Sequence, residues 1–246
     1  MHVIVTGGAS GIGRASAVRL ARRMKVTIAD RDLDGARSVV DEIKSAGGEA
    51  QAIIVDVAHR TSVFEMVAQA TATFGPPAAL FANAGINRRN PVDLISEADW
   101  DVMMDVHVKG MFLCAQAVIP HMLSLGHGTI VNTASDFAIM GVAGNATYTA
   151  AKTSVYSLTK AMAVEFTPKN IRVNAIGPGP IDTPLLATGR TAEQHVALRA
   201  KFAAALPLGR MGTPEDVAVV VDFLLSDKAS YISGQLLHPN GGQLLW

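Results

Sequence analysis

Residues 3–13 read VIVTGGASGIG, a run of β-branched residues followed at once by a glycine-rich turn. The residues after this turn have the apolar spacing of a helix, so the local order is strand, tight turn, helix. Glycine lets a backbone turn sharply and approach a phosphate with no Cβ in the way. The N-terminus of the following helix offers free N–H groups and a partial positive charge. The segment therefore predicts a βα unit that binds a dinucleotide pyrophosphate, the alternative being a turn whose glycines serve packing only.

The rest of the chain repeats this alternation of strand and helix. Apolar runs such as residues 52–55 and 78–81 are typical of a parallel sheet covered on both faces. The pattern predicts an α/β fold, a doubly wound parallel sheet (Rossmann fold), as a single domain over residues 1–246 with ligands at the carboxyl ends of the strands. Ser62 with Glu65 fits a capping box, and Thr213 fits an N-cap before a proline. We expect strands near residues 2–6, 25–29, 50–55, 78–82, 127–133, 170–176 and 234–238.

One irregular region, about residues 177–212, begins with the sequence GPGP and contains a short helical pattern over residues 192–205. Its place after the sixth strand favours a small substrate lid, about residues 180–212, over an ordinary surface excursion.

Composition restricts the class of function. The 246 residues carry a formal net charge of zero, so neither nucleic acid nor an anionic membrane is indicated as a partner. The single cysteine, Cys114, cannot form an internal disulfide, and its apolar neighbours favour a buried side chain. The histidines are scattered without ligand spacing, and we find neither a leader nor an uninterrupted apolar span of membrane length. We expect a cytoplasmic protein with no metal site.

The second strand ends at a carboxylate, Asp30. A carboxylate there can accept hydrogen bonds from the adenosine ribose hydroxyls, and it repels a 2′-phosphate. Arg31 follows at once and could face such a phosphate. These residues favour NAD as the cofactor and leave NADP open.

Ser135, Tyr148 and Lys152 together can polarise a carbonyl and move a proton. Tyr148 and Lys152 lie four residues apart on a predicted helix and so share one face. An ammonium about 4 Å from the phenol would favour the phenolate by roughly 4 kcal/mol, or about three pKa units before desolvation opposes it. Tyr148 would then act as general base or acid, while Ser135 donates a hydrogen bond to the reacting oxygen. The alternative, an exposed Tyr/Lys pair, is disfavoured by the cofactor turn in the same chain.

These motifs, in this order, resemble those of the single-domain branch of the short-chain dehydrogenase/reductase family. The resemblance covers essentially the whole chain and implies that Lys152 also binds the nicotinamide ribose. It further implies that Asp56 and Val57 contact the adenine, and that Thr183 reaches the nicotinamide carboxamide. The expected cofactor-binding residues are Gly7, Ser10, Gly11, Ile12, Gly13, Asp30, Asp56, Val57, Asn83, Gly85, Tyr148, Lys152, Pro178, Ile181 and Thr183.

His107 departs from the family pattern, which usually has an asparagine there. The backbone carbonyl of that asparagine holds a water in a proton relay to the lysine. An imidazole can itself titrate near about pH 6.5, so one interpretation is an altered relay. The other is a packed helix residue with the relay intact, and both stay open. The expected catalytic residues are Ser135, Tyr148, Lys152 and His107.

The leading hypothesis is hydride transfer between NAD(H) and a small secondary alcohol or ketone, with Tyr148 as general acid/base. One alternative is an NADPH-dependent 3-oxoacyl-carrier reductase, which Asp30 and the neutral net charge disfavour. Another is a non-catalytic dinucleotide-binding regulator, which the presence of Tyr148 and Lys152 disfavours. By family analogy the substrate wall is largely apolar and comprises Asp136, Phe137, Met140, Val142, Ala143, Asn145, Leu185 and Leu186.

Two further features concern possible partners. Arg88 and Arg89 lie where the rim of the cleft is expected and could meet an anionic substrate or carrier, although solvated loop charge is the simpler account. Predicted helices over residues 100–122 and 149–166 carry apolar stripes, and in relatives these helices pair between subunits. We therefore expect a homotetramer, with a dimer as the fallback; the alternative is that both stripes face only the sheet.

Overall fold

The computed structural model describes residues 1–244, and within them one parallel sheet has the strand order β3-β2-β1-β4-β5-β6-β7. The last two residues of the expected domain lie outside the described residues. After β3 the chain returns past β1 to form β4, so the strand order reverses between β1 and β4. Such a reversal opens a crevice at the carboxyl ends of the strands. The strands are β1 His2–Thr6, β2 Lys25–Asp30, β3 Ala50–Ile54, β4 Ala79–Ala82, β5 Gly128–Thr133, β6 Ile171–Ile176 and β7 Leu236–Leu237.

Helices cover both faces of this sheet. The predicted doubly wound fold is confirmed, and the seven expected strands lie where the apolar runs placed them, with β7 shorter than expected. The helices are α1 Gly11–Leu20, α2 Leu33–Ser45, α3 Arg60–Phe74, α4 Glu97–Met104, α5 Gly110–Leu125, α6 Ala146–Phe166, α7 Pro184–Ala187, α8 Ala192–Ala205 and α9 Pro214–Leu224.

The core forms two apolar layers, one on each side of the sheet. Alternate side chains of a strand point to opposite faces, so Val3 and Val5 pack with α1, α2 and α9, whereas Ile4 packs with α3, α5 and α6. All three side chains are fully buried. The central strand β1 is thus held from both sides, and the turn that follows it has a rigid base.

The two predicted helix starts have different outcomes. Thr213 caps α9, because its hydroxyl accepts from the Asp216 N–H and the Asp216 carboxylate accepts from the Thr213 N–H. The predicted capping box at Ser62 is wrong, since α3 begins at Arg60 with His59 as its N-cap. The Ser62 hydroxyl instead accepts from the Asp56 N–H at 3.0 Å. Ser62 therefore holds the chain after β3, where Asp56 lies.

The predicted helix over residues 100–122 is interrupted. A wider π-helical turn, Asp105–Lys109, separates α4 from α5. Turns of this kind are frequent at functional sites because they redirect side chains and backbone carbonyls. The predicted helix over residues 149–166 corresponds to α6, which begins three residues earlier.

The run Glu97–Leu125 bears on the expectation that no apolar span of membrane length is present. Its 29 residues have a mean hydropathy of 1.4 in the most apolar window, which by length and composition would be enough to cross a membrane. However, 61% of that window is buried within the protein, where α5 packs on β4 and β5. The run therefore serves as a core helix of this fold.

Candidate active site

A cavity of about 610 Å³ lies at the carboxyl ends of the strands, at the reversal between β1 and β4. It is lined by all four expected catalytic residues and by every expected cofactor-binding residue except Gly13. Its size falls in the range of sites for small molecules and cofactors. The fold therefore brings together residues that are spread over most of the sequence.

The glycine turn forms one end of this cavity. Gly7 and Gly11 have φ angles of 65° and 52°, which side chains rarely adopt. Gly13 lies behind the turn, where a Cβ would come within 2.0 Å of the Gly7 carbonyl oxygen. Gly13 therefore lets α1 approach the strand. We expected it among the cofactor-binding residues, but it does not line the cavity. The Asn83 amide supports the turn by donating to the Gly7 carbonyl oxygen at 3.1 Å.

The start of α1 fits an anionic group. Ser10 occupies the N-cap position without a side-chain hydrogen bond to the helix, and the first turn contains no acidic residue. The first N–H groups of the helix therefore have no side-chain acceptor, and Ser10, Gly11 and Ile12 line the cavity. A helix start of this kind suits a pyrophosphate. The residues present thus fit a dinucleotide.

Asp30 is held firmly at the edge of the cavity. Its two carboxylate oxygens accept from the Ala9 N–H at 3.0 Å and the Asp32 N–H at 3.1 Å. Further lone pairs of this carboxylate can accept from ribose hydroxyls. Arg31 also lines the cavity, but its side chain is 68% exposed and its guanidinium lies 3.9 Å from the Asp56 carboxylate.

Tyr148 and Lys152 project from α6 toward Ser135, which follows β5. The Lys152 ammonium donates to the Thr133 carbonyl oxygen at 2.6 Å and lies 5.5 Å from the centre of the Tyr148 ring. The Ser135 hydroxyl lies near the Tyr148 phenol and favours its ionised form. Ser135 is also fixed at the end of β5, because its hydroxyl accepts from the Phe137 N–H at 3.2 Å. The geometry leaves a phenol and a hydroxyl together at the cavity.

The pKa of Tyr148 differs from our sequence expectation. Burial raises it to about 12, although Ser135 and the charge of Arg89 oppose that rise. Burial also lowers the pKa of Lys152 to about 7. The lowering of the Tyr148 pKa that we expected from Lys152 is absent. Tyr148 and Lys152 are both desolvated, and the ammonium is directed at the Thr133 carbonyl oxygen. In the protein alone, Tyr148 is therefore a protonated phenol at neutral pH.

His107 lies in the π-helical turn and is 2% exposed. Its Nε2 is 2.7 Å from the Ile86 carbonyl oxygen, and its ring packs edge-on against the Tyr148 ring at 5.4 Å between centres. Burial, and then the charge of Lys152, lower the pKa of His107 well below 6.5. A Cβ at Gly85 would come within 2.7 Å of this imidazole. The geometry favours a neutral, packed imidazole over a titrating one.

Asp136 does not belong to the substrate wall, contrary to the family analogy. It is fully buried, and its carboxylate lies 2.5 Å from His238 Nδ1. Its backbone N–H donates to the Pro178 carbonyl oxygen at 3.3 Å. Asp136 therefore connects the loop after Ser135 to the C-terminal part of the sheet. No local sequence pattern indicates this contact, because His238 lies 102 residues away.

The substrate end of the cavity is mostly apolar. Ala143 does not line it, whereas the sequence had not indicated Ile86, Asn87 and Phe202, which do. The segment 180–212 contributes from one side, and its ends are joined by a bond from the Gly212 N–H to the Pro180 carbonyl oxygen at 3.0 Å. The expected wall residues that line the cavity are Phe137, Met140, Val142, Asn145, Leu185 and Leu186.

The buried Cys114 does not line this cavity, but it lines a small neighbouring one together with His107 and Lys152. Cys114 is 1% exposed, and burial raises the pKa of its thiol to about 12, so it is not a nucleophile at neutral pH. Within residues 1–244, no group of three His, Cys, Asp or Glu side chains could hold a metal ion. Ser135, Tyr148 and Lys152 all line the cavity.

Curated relatives align with this chain over almost its full length. A (2S)-[(R)-hydroxy(phenyl)methyl]succinyl-CoA dehydrogenase subunit from Thauera aromatica is 38% identical over 99% of this chain and 96% of the relative. A 3-oxoacyl-[acyl-carrier-protein] reductase from Thermotoga maritima is 36% identical over 98% and 97%. A cis-4-hydroxycyclohexanecarboxylate dehydrogenase from Sinomonas cyclohexanicum is 39% identical over 97% and 94%.

Solved structures and a family model give the same relationship. The structure of a levodione reductase matches with a TM-score of 0.91 and 35% identity, covering 98% of this chain and 96% of that one. The family model described as enoyl-(acyl carrier protein) reductase matches residues 7–243. Because these matches span almost the whole chain and its cavity carries the Ser135, Tyr148 and Lys152 set, the chain belongs to the short-chain dehydrogenase/reductase family.

Proposed function

We propose that this protein is an NAD-dependent dehydrogenase/reductase that interconverts a small secondary alcohol and its ketone. The observation that carries the proposal is that the Tyr148 phenol lies with Ser135 and Lys152 at one cavity. When bound, a nicotinamide dinucleotide supplies the hydride donor or acceptor. We also propose a cytoplasmic location, since in the part of the chain that the structure describes the one helix long and apolar enough to cross a membrane is a core helix.

Three parts of the chain would hold the cofactor. The glycine turn and the start of α1 would bind the pyrophosphate, and Asp30 would bind the adenosine ribose. Asp56 and Val57 line the cavity beyond Asp30, as expected for residues beside an adenine. We propose that the segment 180–212 acts as the lid, because Leu185, Leu186 and Phe202 from this segment line the substrate end.

Proton transfer is assigned to Tyr148. In ketone reduction, its phenol donates a proton to the carbonyl oxygen while Ser135 donates a hydrogen bond to the same atom. In alcohol oxidation the reverse transfer needs a phenolate, which the charge of Arg89 favours and which the positive charge of an oxidised nicotinamide would favour further. The raised pKa of Tyr148 makes the phenol the resting form, so the protein alone is prepared for reduction.

The first prediction tests this role. Tyr148→Phe should reduce turnover of cyclohexanol and cyclohexanone by at least ~10²-fold, because it removes the group that exchanges a proton with the substrate oxygen. Binding of NAD(H), followed by calorimetry, should persist since the glycine turn is untouched. Tyr156→Phe is the matched control, because Tyr156 lies on the same helix outside the cavity. Full activity of Tyr148→Phe would rule out the mechanism.

A second candidate function is 3-oxoacyl-carrier reduction with NADPH. The relative from Thermotoga maritima carries that name, and Arg31 at the cavity could meet a 2′-phosphate. Asp30 opposes the use of NADPH, because its carboxylate would lie beside the negative charge of the 2′-phosphate. Cofactor preference therefore separates the two candidates.

We predict that the unmodified protein binds NAD(H) more tightly than NADP(H), and that Asp30→Ala narrows this preference. The measurement is the dissociation constant of each cofactor by calorimetry. Since Asp30 also accepts from the Ala9 N–H, thermal unfolding must show that the variant remains folded. Asp34→Ala is a control that removes one exposed negative charge outside the cavity. Equal or tighter binding of NADP(H) by the unmodified protein would contradict this preference.

We propose that His107 stays neutral and supports the Tyr148 ring. Any proton relay to Lys152 would then use the backbone carbonyl of His107 and not its imidazole. His107→Asn should then keep or raise activity, and the rate profile between about pH 6 and 8 should be unchanged, because a group with a pKa well below 6.5 does not titrate there. An inflection near pH 7 present in both proteins would belong to Lys152. Loss of such an inflection only in His107→Asn would instead assign the titration to His107.

We propose a homotetramer, because the helix faces away from the sheet carry exposed apolar side chains. Phe112 on α5 is 44% exposed and Val164 on α6 is 80% exposed, although other residues of both helices are buried against the sheet. Sedimentation velocity at micromolar concentration should give a tetramer, or a dimer at the least, and Phe112→Glu should weaken the assembly. A monomer at that concentration would refute it.

A further inference from the structure

Three segments of the chain continue side by side past the carboxyl ends of the last three strands. The Ala134 N–H donates to the Ile176 carbonyl oxygen at 2.8 Å, one residue beyond the last register pair of β5 and β6. The Gly177 N–H donates to the Leu237 carbonyl oxygen at 2.7 Å, beyond the last pair of β6 and β7. Ser135 therefore lies on an extension of the sheet. We name the three the serine segment (residues 134–140), the middle segment (177–183) and the C-terminal segment (238–243).

One side-chain contact joins the two outer segments. Asp136 is fully buried, and its carboxylate lies 2.5 Å from Nδ1 of His238, whose side chain is 12% exposed. Gly177 of the middle segment lies against this contact, because a Cβ there would come within 2.7 Å of the same Nδ1 atom. The φ angle of Gly177 is not positive, so the close approach of His238, and not the backbone conformation, requires a glycine there.

This contact reinforces a long backbone bond beside Ser135. The Asp136 N–H donates to the Pro178 carbonyl oxygen at 3.3 Å, just beyond the usual range of such bonds. The Asp136 carbonyl oxygen accepts from the Met140 N–H at 3.0 Å, so this one residue organises the serine segment. Pro178 and Thr183 line the cavity, and the family resemblance places Thr183 at the nicotinamide. The position of Asp136 therefore sets that of Ser135 relative to the segment expected beside the nicotinamide.

The buried Asp136 carboxylate depends on a partner from the C-terminal segment. A hydrogen bond to a charged group is stronger than one between neutral groups, and a buried carboxylate without a partner is costly. Burial raises the pKa of Asp136, whereas the hydrogen bond and charge of His238 oppose that rise. The contact with His238 is therefore a stronger link than the long backbone bond to Pro178.

We propose that the contact between Asp136 and His238 positions Ser135 for catalysis. This inference rests on the proposed function, because it assumes that Ser135 donates a hydrogen bond to the reacting oxygen. Neither Asp136 nor His238 lines the cavity, so both are positioning residues. A misplacement of about 1 Å can cost ~10²-fold in rate, and loss of a donor to the reacting oxygen costs roughly 10²- to 10³-fold. A loosened serine segment should therefore slow the chemical step.

Two variants break the contact in different ways. His238→Phe keeps a ring beside Gly177 but removes the nitrogen that faces Asp136. Gly177→Ala keeps both partners and displaces the imidazole with its new Cβ, so it tests the contact even if His238→Phe fails to fold. His127→Gln is the control for the first variant, because His127 is exposed and lies outside the cavity. Gly141→Ala is the control for the second, because a Cβ there would meet no atom within 4 Å.

Single-turnover reduction of cyclohexanone by bound NADH, followed at the nicotinamide absorbance, separates positioning from a loss of folded protein. The rate constant reports the chemical step, and the amplitude reports the fraction of competent sites. In His238→Phe and in Gly177→Ala the rate constant should fall about ten-fold or more, while the affinity for NADH and both controls stay unchanged. A reduced amplitude with an unchanged rate constant in both variants would overturn the proposal, as would no change at all.

Amide hydrogen exchange, followed by mass spectrometry, separates this inference from the proposed function because it needs no turnover. Exchange over the serine segment should become faster in both variants, while exchange over β1 stays as in the unmodified protein. Faster exchange in a protein that does not reduce cyclohexanone supports the role of the contact and rejects only the proposed function. Unchanged exchange in both variants rejects the inference even if cyclohexanone is a good substrate.

Discussion

The hydrogen bond from the Lys152 ammonium to the Thr133 carbonyl oxygen, 2.6 Å long, joins α6 to the end of β5. The rest of the site depends on it. Because Tyr148 lies one helical turn before Lys152, the same bond determines where the phenol lies, and Ser135 follows Thr133 by two residues. Three side chains from two elements thus meet at the carboxyl edge of the sheet. The apolar layers that hold β1 and β5 keep this edge rigid.

Burial has opposite effects on the two titrating groups of this site. It raises the pKa of Tyr148 to about 12 and lowers that of Lys152 to about 7, so neither group favours its charged form. An added positive charge in the cavity would favour the phenolate, and Arg89 already acts in that direction. The direction of catalysis would then be decided by what occupies the cavity beside Tyr148. His107, packed against the ring, adds no charge at neutral pH.

Local sequence rules predicted the parts of this protein that depend on local chemistry. The glycine turn and the apolar runs gave the fold, because they follow from backbone freedom and from burial on two faces. The same rules were wrong at Ser62, whose hydroxyl serves the Asp56 N–H, and they did not indicate the π-helical turn at His107. Gly13, Asp136 and Arg89 depend on residues distant in sequence. Their roles therefore became visible only with tertiary contacts at Gly7, His238 and the cavity.

The most direct test is the ionisation of Tyr148 itself, measured by ultraviolet difference absorbance between the unmodified protein and Tyr148→Phe during a pH titration. This difference isolates Tyr148 from Tyr156 and Tyr231. We expect no ionisation of Tyr148 in the protein alone up to about pH 10, the ordinary pKa of a phenol, and ionisation at lower pH once NAD⁺ is bound. Ionisation of Tyr148 near neutral pH in the protein alone would contradict the account, because Lys152 rather than burial would then control the phenol.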